Sequence, residues 1–190
     1  QEGVIDLDEE FDVSKPLKID RFFITDHSKA KKPLTGREVF VKSSNIGTAQ
    51  IALRLEDKIP SFLESLNLFR PLPLELIETS KGMRPKRWRK SNTVTASYGY
   101  GVSVTAIHLI QAVAAILNNK QEFHYATLIK GKDTTIEGQV VSEEVSKQIR
   151  EIMQQVVLFG TGRRSRSYLY SLGGKTGTAH KIGISGYDHN

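Results

Sequence analysis

The sequence predicts an α+β domain in which helices gather and strands stay short. Three observations carry that reading. Apolar residues recur at helical spacing through residues 46–66 and 145–156, whereas the β-forming clusters are brief and scattered. Strands and helices do not alternate regularly, which argues against parallel βαβ winding. At 190 residues, with 38% apolar and 25% charged side chains, the chain is long enough to bury a core and too apolar for wholesale disorder.

Residues 1–35 are polar and irregular, with Phe22, Phe23 and Ile24 as one candidate strand. Gln1-Glu2-Gly3 reads as a helix tail with its glycine stop, so the true beginning is expected upstream. From Thr35 the pattern turns helical: Ile46, Ala49 and Leu53 share one face, and Ile59, Phe62, Leu63 and Leu66 repeat it. Residues 70–101 lose periodicity among Pro71, Pro73, Pro85 and Gly82, Gly99, Gly101, and read as a long covering or functional loop. Val104 to Leu117 is apolar nearly all round, the pattern of a buried helix, and Asn118-Asn119 ends it. Phe123 to Ile129 is a candidate strand. Ser142 followed by Glu143 and Glu144 marks a helix start, because acidic groups suit the positive end of the helix dipole. Val145, Ile149, Ile152 and Val156 form its apolar face, and Gly160-Thr161-Gly162 stops it. Tyr168 to Ile184 reads as one long strand with a turn beyond it.

Composition narrows the function classes. The net charge of +6 suits an anionic partner without naming one. The absence of cysteine excludes disulfide scaffolds, Cys-ligated zinc and thiol nucleophiles. No apolar run nears the ~18 residues of a membrane span, and no signal-peptide pattern opens the chain. The histidines show no metal-ligand spacing and no Gly-rich phosphate loop occurs, so neither metal nor cofactor is expected. His108 reads as a core histidine.

Lys175-Thr176-Gly177-Thr178 is the sharpest signal; a given tripeptide arises by chance about 0.04 times in such a chain. On an extended segment Lys175 and Gly177 face one way, Thr176 and Thr178 the other. A lysine charge and threonine hydroxyls can hold a carboxylate, and glycine admits a substrate backbone. The plain alternative is an edge strand blunted by lysine. Ser43-Ser44-Asn45 at a helix entry is weaker, since Ser-x-Asn recurs at Ser65-Leu66-Asn67 and both residue types are ordinary helix caps. Lys81, Arg84, Lys86, Arg87, Arg89 and Lys90 crowd around Trp88, a pattern that suits nucleic acid but more simply a solvated loop anchored by its tryptophan. Arg163, Arg164 and Arg166 form a second basic cluster.

In order, Ser43-Ser44-Asn45, Ser97-Tyr98-Gly99-Tyr100-Gly101 and Gly173-Gly174-Lys175-Thr176-Gly177-Thr178-Ala179 resemble the transpeptidase domain of class B penicillin-binding proteins of the cell-division type. Val13 to Leu17, Arg21-Phe22, Glu38 to Phe40, Ser43 to Ala49, Asn92 to Gly101 and Val104-Thr105 through His108-Leu109 share that look, with an alphaproteobacterial cast. Gly160-Thr161-Gly162 ahead of the Lys-Thr-Gly segment fits it too, Arg163, Arg164 and Arg166 would then rim the cleft, and the resemblance spans essentially all 190 residues. It implies the penicillin-binding transpeptidase or serine β-lactamase-like fold, an antiparallel sheet packed with helices. It also implies one partial domain over residues 1–190, incomplete at both ends. The family's first motif is Ser-x-x-Lys, and the sole match, Ser28-Lys29-Ala30-Lys31, is polar and too close ahead of Ser43 to hold the nucleophile helix. No nucleophile is therefore expected within the chain, and the strands after the Lys-Thr-Gly segment are expected beyond Asn190.

The implied reaction is peptidoglycan cross-linking: a serine acyl-enzyme forms at D-Ala-D-Ala of one stem peptide and passes to an amine of another, and β-lactams acylate the same serine. By motif, Ser43 relays a proton to the leaving amine, aided by the charge of Lys175. Asn45 holds the stem-peptide amide and the first-motif lysine. Ser44, Lys175, Thr176, Gly177 and Thr178 line the substrate, with the Thr178 N–H as half of the oxyanion hole. The resemblance further implies division-complex membrane partners, a membrane-anchored parent and a site on the periplasmic face of the inner membrane, with no role for nucleic acid. Two other readings remain open at this point, a basic nucleic-acid-binding module and a catalytically dead penicillin-binding scaffold.

Overall fold

The protein is described by a computed structural model that covers residues 2–55, 57–118, 120, 122–177, 182–183 and 186–187. It is an α+β arrangement: helices pack together and the described strands pair as four separate two-stranded antiparallel ribbons. Strand β1 (Glu10–Phe11) pairs with β4 (Leu34–Thr35), and β2 (Leu17–Ile19) pairs with β3 (Phe22–Ile24). Further on, β5 (Glu122–His124) pairs with β6 (Thr135–Gln139), and β7 (Ile182–Gly183) with β8 (Gly186–Tyr187).

Helix α1 (Gly36–Lys42) begins with a reciprocal cap, Thr35 Oγ1 accepting from the Glu38 N–H while a Glu38 carboxylate oxygen accepts from the Thr35 N–H. It ends one residue later at Ser43, whose left-handed backbone (φ 58°, ψ 47°) turns the chain straight into α2 (Asn45–Leu55). The two helices meet closely: a Cβ on Gly47 would lie 2.9 Å from Val39 Cγ1. Phe11, Val13, Ile19, Ile24, Leu34, Val39, Ile46, Ala49 and Val94 close one core around this corner. Burial of such side chains stabilises by roughly 1.5–3 kcal/mol each before entropy is counted. Helix α3 (Lys58–Ser65) follows, ending where Asn67 takes a positive φ of 55°.

Helix α6 (Glu143–Leu158) starts at Ser142, whose Oγ accepts from the Val145 N–H, as the sequence predicts. Its Ile152 and Val156 pack on Val41 of α1, so this helix lies against the turn that carries Ser43.

Three expectations need correction. The loop read over residues 70–101 contains a helix, α4 (Lys90–Ser97). Its composition is poor in helix formers, and it forms because Thr93 and Val94 are buried, Val94 in the core with α2, while Asn92 Oδ1 returns to the Arg89 N–H. The apolar stretch before Asn118 forms α5 (Ala106–Leu117), yet it is not buried all round. His108, Gln111, Ala112 and Ala115 are its buried stripe, and Leu109 and Ile110 stand 55% and 66% exposed. Polar His108 and Gln111 occupy interior positions because they bond the backbone: His108 Nε2 to the Arg70 carbonyl and Gln111 Nε2 to the His124 carbonyl. Finally, the expected strand from Tyr168 does not form over residues 168–177: residues 168–170 bend, and no described strand lies alongside to complete a ladder, while β7 takes up Ile182–Gly183 and the remainder lies outside the described residues.

Candidate active site

The site forms where the α1–α2 corner meets the segment after α6. Ser43 is the residue in the left-handed turn, half-buried, and the strained backbone holds its side chain out from the corner. Lys175 Nζ donates a 2.6 Å hydrogen bond to Ser43 Oγ and a second, at 3.1 Å, to the Thr176 carbonyl. The ammonium also stands 5.8 Å from the centroid of the Phe40 ring, on the preceding turn of α1. Among the described residues no carboxylate pairs with it. Although much of the Lys175 side chain meets solvent, the protein around it desolvates the ammonium and lowers its pKa from the ordinary lysine value.

Thr176 Oγ1 lies 2.7 Å from Thr161 Oγ1. Thr161 is in turn placed by two glycines. A Cβ on Gly160 would collide with the Val41 carbonyl and lie 2.8 Å from Val41 Cγ1, so only glycine lets the end of α6 sit on α1. The Thr161 N–H then reaches the Val41 carbonyl at 3.4 Å, and the Gly162 N–H caps the Val156 carbonyl at 3.0 Å. Gly174 N–H bonds the Met153 carbonyl at 3.0 Å, tying the other end of the segment to α6. Around Gly177 a Cβ would meet nothing within 4 Å among the described residues.

Asn45 opens α2, and its Nδ2 donates to the Thr25 carbonyl at 3.2 Å; no hydrogen bond joins it to Ser43 or Lys175. The Ser44 side chain turns inward. It is 3% exposed, its hydroxyl donates to Asp26 Oδ2 at 2.6 Å and accepts from the Gly47 N–H at 3.0 Å. Asp26 Oδ1 meanwhile accepts from the Ile46 N–H at 2.9 Å. Ser44 and Asp26 together cap α2, which explains the middle motif residue structurally. Thr178 lies outside the described residues. The second Ser-x-Asn is a helix end, with Ser65 Oγ donating to the Phe62 carbonyl. Ser28 sits exposed in a bend.

Sequence reasoning missed Asp26, Phe40 and the role of Thr161. Asp26 acts 18 residues away from Ser44, so no local pattern announces it. Gly160-Thr161-Gly162 was visible as a stop, and its glycine pair was the signal that something packs closely there. Within the basic cluster around Trp88, the indole N–H donates to Thr93 Oγ1 at 2.8 Å, and Arg84 pairs with Glu64 and stacks 5.4 Å from the Phe69 ring. Among the described residues no group of acidic, His or Cys side chains has metal-site geometry.

This geometry belongs to a known family. The sequence matches the penicillin binding protein transpeptidase domain over residues 1–190. It is 33% identical over 195 aligned residues to the probable peptidoglycan D,D-transpeptidase FtsI of Caulobacter vibrioides, an alignment that covers 98% of this chain and 33% of that protein. The peptidoglycan D,D-transpeptidase FtsI of Escherichia coli K12 is 29% identical, with 90% of this chain and 29% of the relative covered. Among solved structures, the apo transpeptidase domain of Burkholderia pseudomallei penicillin-binding protein 3 superposes with a TM-score of 0.87 at 30% identity, over 96% of this chain and 57% of that one. Penicillin-binding protein 3 of Mycobacterium tuberculosis, complexed with aztreonam, gives 0.85 at 25% identity over 98% and 47%. The chain spans about a third of the length of these curated relatives. With its second and third motifs joined through Ser43 and Lys175, the chain belongs to the penicillin-binding protein transpeptidase domain family.

Proposed function

We propose that this chain is the part of a cell-wall D,D-transpeptidase that grips the donor stem peptide and manages the proton of the leaving group. The observation that carries the reading is the hydrogen bond from Lys175 to Ser43, which unites two motifs distant in sequence. In the reaction, a serine oxygen attacks the carbonyl of the penultimate D-alanine and the C–N bond to the terminal D-alanine breaks. The departing amine takes a proton through the Ser43 hydroxyl, and Lys175 lowers the cost of that transfer by its charge. An amine of a second stem peptide then displaces the serine from the acyl group. No serine of this chain is assigned the nucleophile's role.

Thr176, Gly177 and Thr178 take the terminal carboxylate and the adjoining backbone, with Lys175 adding electrostatic attraction. Thr178 N–H supplies one oxyanion donor. Asn45 orients the peptide from the entry of α2. Ser44 backs the same set from beneath, its hydroxyl donating to Asp26. β-Lactams mimic the same peptide and occupy the same cleft. Division-complex partners, a membrane-anchored parent and a periplasmic location complete the proposal by likeness to the relatives; no described helix is itself long and apolar enough to cross a membrane.

The test is fluorescent-penicillin labelling of the full-length protein, with intact mass of the adduct. One adduct, suppressed by unlabelled β-lactam and slowed in Lys175→Ala, is expected. A folded protein that takes up no penicillin and releases no D-alanine from a D-Ala-D-Ala peptide would overturn the reading.

A further inference from the structure

Phe40 lies three residues ahead of Ser43, on the last turn of α1, and the same ammonium meets both. The Ser43 N–H donates to the Phe40 carbonyl at 3.2 Å, so the backbone that closes the helix ties the two residues together. The Phe40 side chain is half-buried and packs on the Val41, Ile152 and Val156 cluster that joins α1 to α6. Its ring centroid stands 5.8 Å from Lys175 Nζ, while Ser43 Oγ and the Thr176 carbonyl accept from that ammonium at 2.6 and 3.1 Å. These are the ammonium's partners among the described residues, and none of them carries a charge. A lysine has a long, flexible stem and a strongly hydrated head, so without a counter-ion something else must keep it from swinging into water.

We propose that Phe40 is a positioning residue for the proton relay: its ring holds the Lys175 ammonium against the Ser43 hydroxyl, in the place a carboxylate would otherwise fill. A carboxylate would fix the lysine more firmly, but as a full ion pair it would raise the lysine's pKa and compete with Ser43 for the N–H donors. The face of an aromatic ring attracts the cation through its quadrupole and leaves those donors to Ser43 and Thr176. The ring also keeps water from one side of the ammonium, in keeping with the direction in which desolvation moves Lys175. Leucine at position 40 would exclude water without attracting the cation, so the two contributions of the ring can be separated.

The inference rests on the transpeptidase reading and adds to it a residue outside the motifs. It is tested in the full-length protein by varying the penicillin concentration, which separates the acylation rate constant from the dissociation constant of the initial complex. Phe40→Leu is expected to lower the rate constant about three- to tenfold and to leave the dissociation constant within about twofold. Phe40→Tyr keeps a ring and is expected to stay within about twofold of wild type in both. In a Lys175→Ala background Phe40→Leu is expected to have no further effect, because its action passes through the lysine. Equal rate constants for Phe40→Leu and Phe40→Tyr, or the full loss repeated in the Lys175→Ala background, overturns the positioning role. Should Phe40→Leu not fold, fluorination of the Phe40 ring decides, since it keeps the ring's shape while weakening its negative face. The rate constant is then expected to fall stepwise from the monofluorinated to the pentafluorinated ring, and a level series overturns the role. A level series in a protein that still takes up penicillin leaves the transpeptidase reading standing. Wild-type protein that takes up no penicillin and releases no D-alanine from a D-Ala-D-Ala peptide overturns both.

Discussion

Lys175 Nζ donates to Ser43 Oγ at 2.6 Å across 132 residues of sequence, and it does so with a lysine whose pKa is lowered by desolvation. An ammonium with a lowered pKa gives up its proton more readily than a fully solvated lysine, which suits a proton relay. Removal of either member is therefore expected to slow penicillin acylation by about 10²–10³-fold. Both side chains reach solvent, so Ser43→Ala and Lys175→Ala are expected to keep the wild-type Tm within a degree or two. Stopped-flow labelling beside thermal melts separates the two effects.

The pH dependence follows from the same lysine. The folded protein releases its proton at lower pH than the unfolded chain, where the ordinary value is 10.5. Acylation is thus expected to decline on the alkaline side before pH 10.5, and Lys175→Arg should shift that decline upward. Stability moves in the other direction: between the lowered folded pKa and 10.5 the unfolded state holds more protons, so the Lys175 contribution to stability rises with pH there. A pH series of acylation rates that stays level up to 10.5 would contradict the relay.

Gly160 governs how close the end of α6 comes to α1. Gly160→Ala places a methyl group against the Val41 carbonyl and Cγ1, at an expected cost of about 1–3 kcal/mol. Because the next residue is Thr161, the variant is also expected to slow acylation beyond what its lower Tm explains. Chemical denaturation together with the acylation rate at a temperature where the variant is fully folded provides the check.

Asp26 supports the site from beneath. Asp26→Ala leaves the buried Ser44 hydroxyl and the Ile46 N–H without their acceptor, which is expected to cost about 1–3 kcal/mol. Urea unfolding of the variant measures this, and a loss below a few tenths of a kcal/mol would show that α2 finds another cap.

Away from the site, the Glu75 carboxylate accepts from Lys132 Nζ, the Leu128 N–H and the Thr127 hydroxyl, and its pKa falls to about 2, chiefly through the bond from Lys132. A carboxyl with a depressed folded value stabilises fully above its unfolded value of 4.5 and loses that contribution as pH falls toward about 2. The Tm difference between wild type and Glu75→Gln is expected to be widest near neutral pH and to close across that acidic window.

Helices with strong periodicity and ordinary caps were legible without coordinates. Thr35, Ser142 and Asn118 each act within a few residues of themselves, and the apolar spacing of α6 is a local property of the chain. The motifs were equally legible, because Lys175-Thr176-Gly177 is rare and its chemistry specific. α4 was not legible, since its helix propensity is weak and burial of Val94 decides it. Nor was the exposed side of α5, because hydrophobicity reports what prefers burial and not what is available to cover it.

The sequence by itself determined the fold class, the starts of α1 and α6 and the presence of the motifs, since each depends on neighbours along the chain. Only the tertiary structure decided that Ser43 meets Lys175, that Ser44 turns inward to Asp26, and that Thr161 meets Thr176. These contacts join positions far apart in the chain through close packing at Gly160 and Gly47 and a left-handed turn at Ser43. Side-chain direction at such a junction depends on which backbones can approach one another, and no local pattern of residues encodes that.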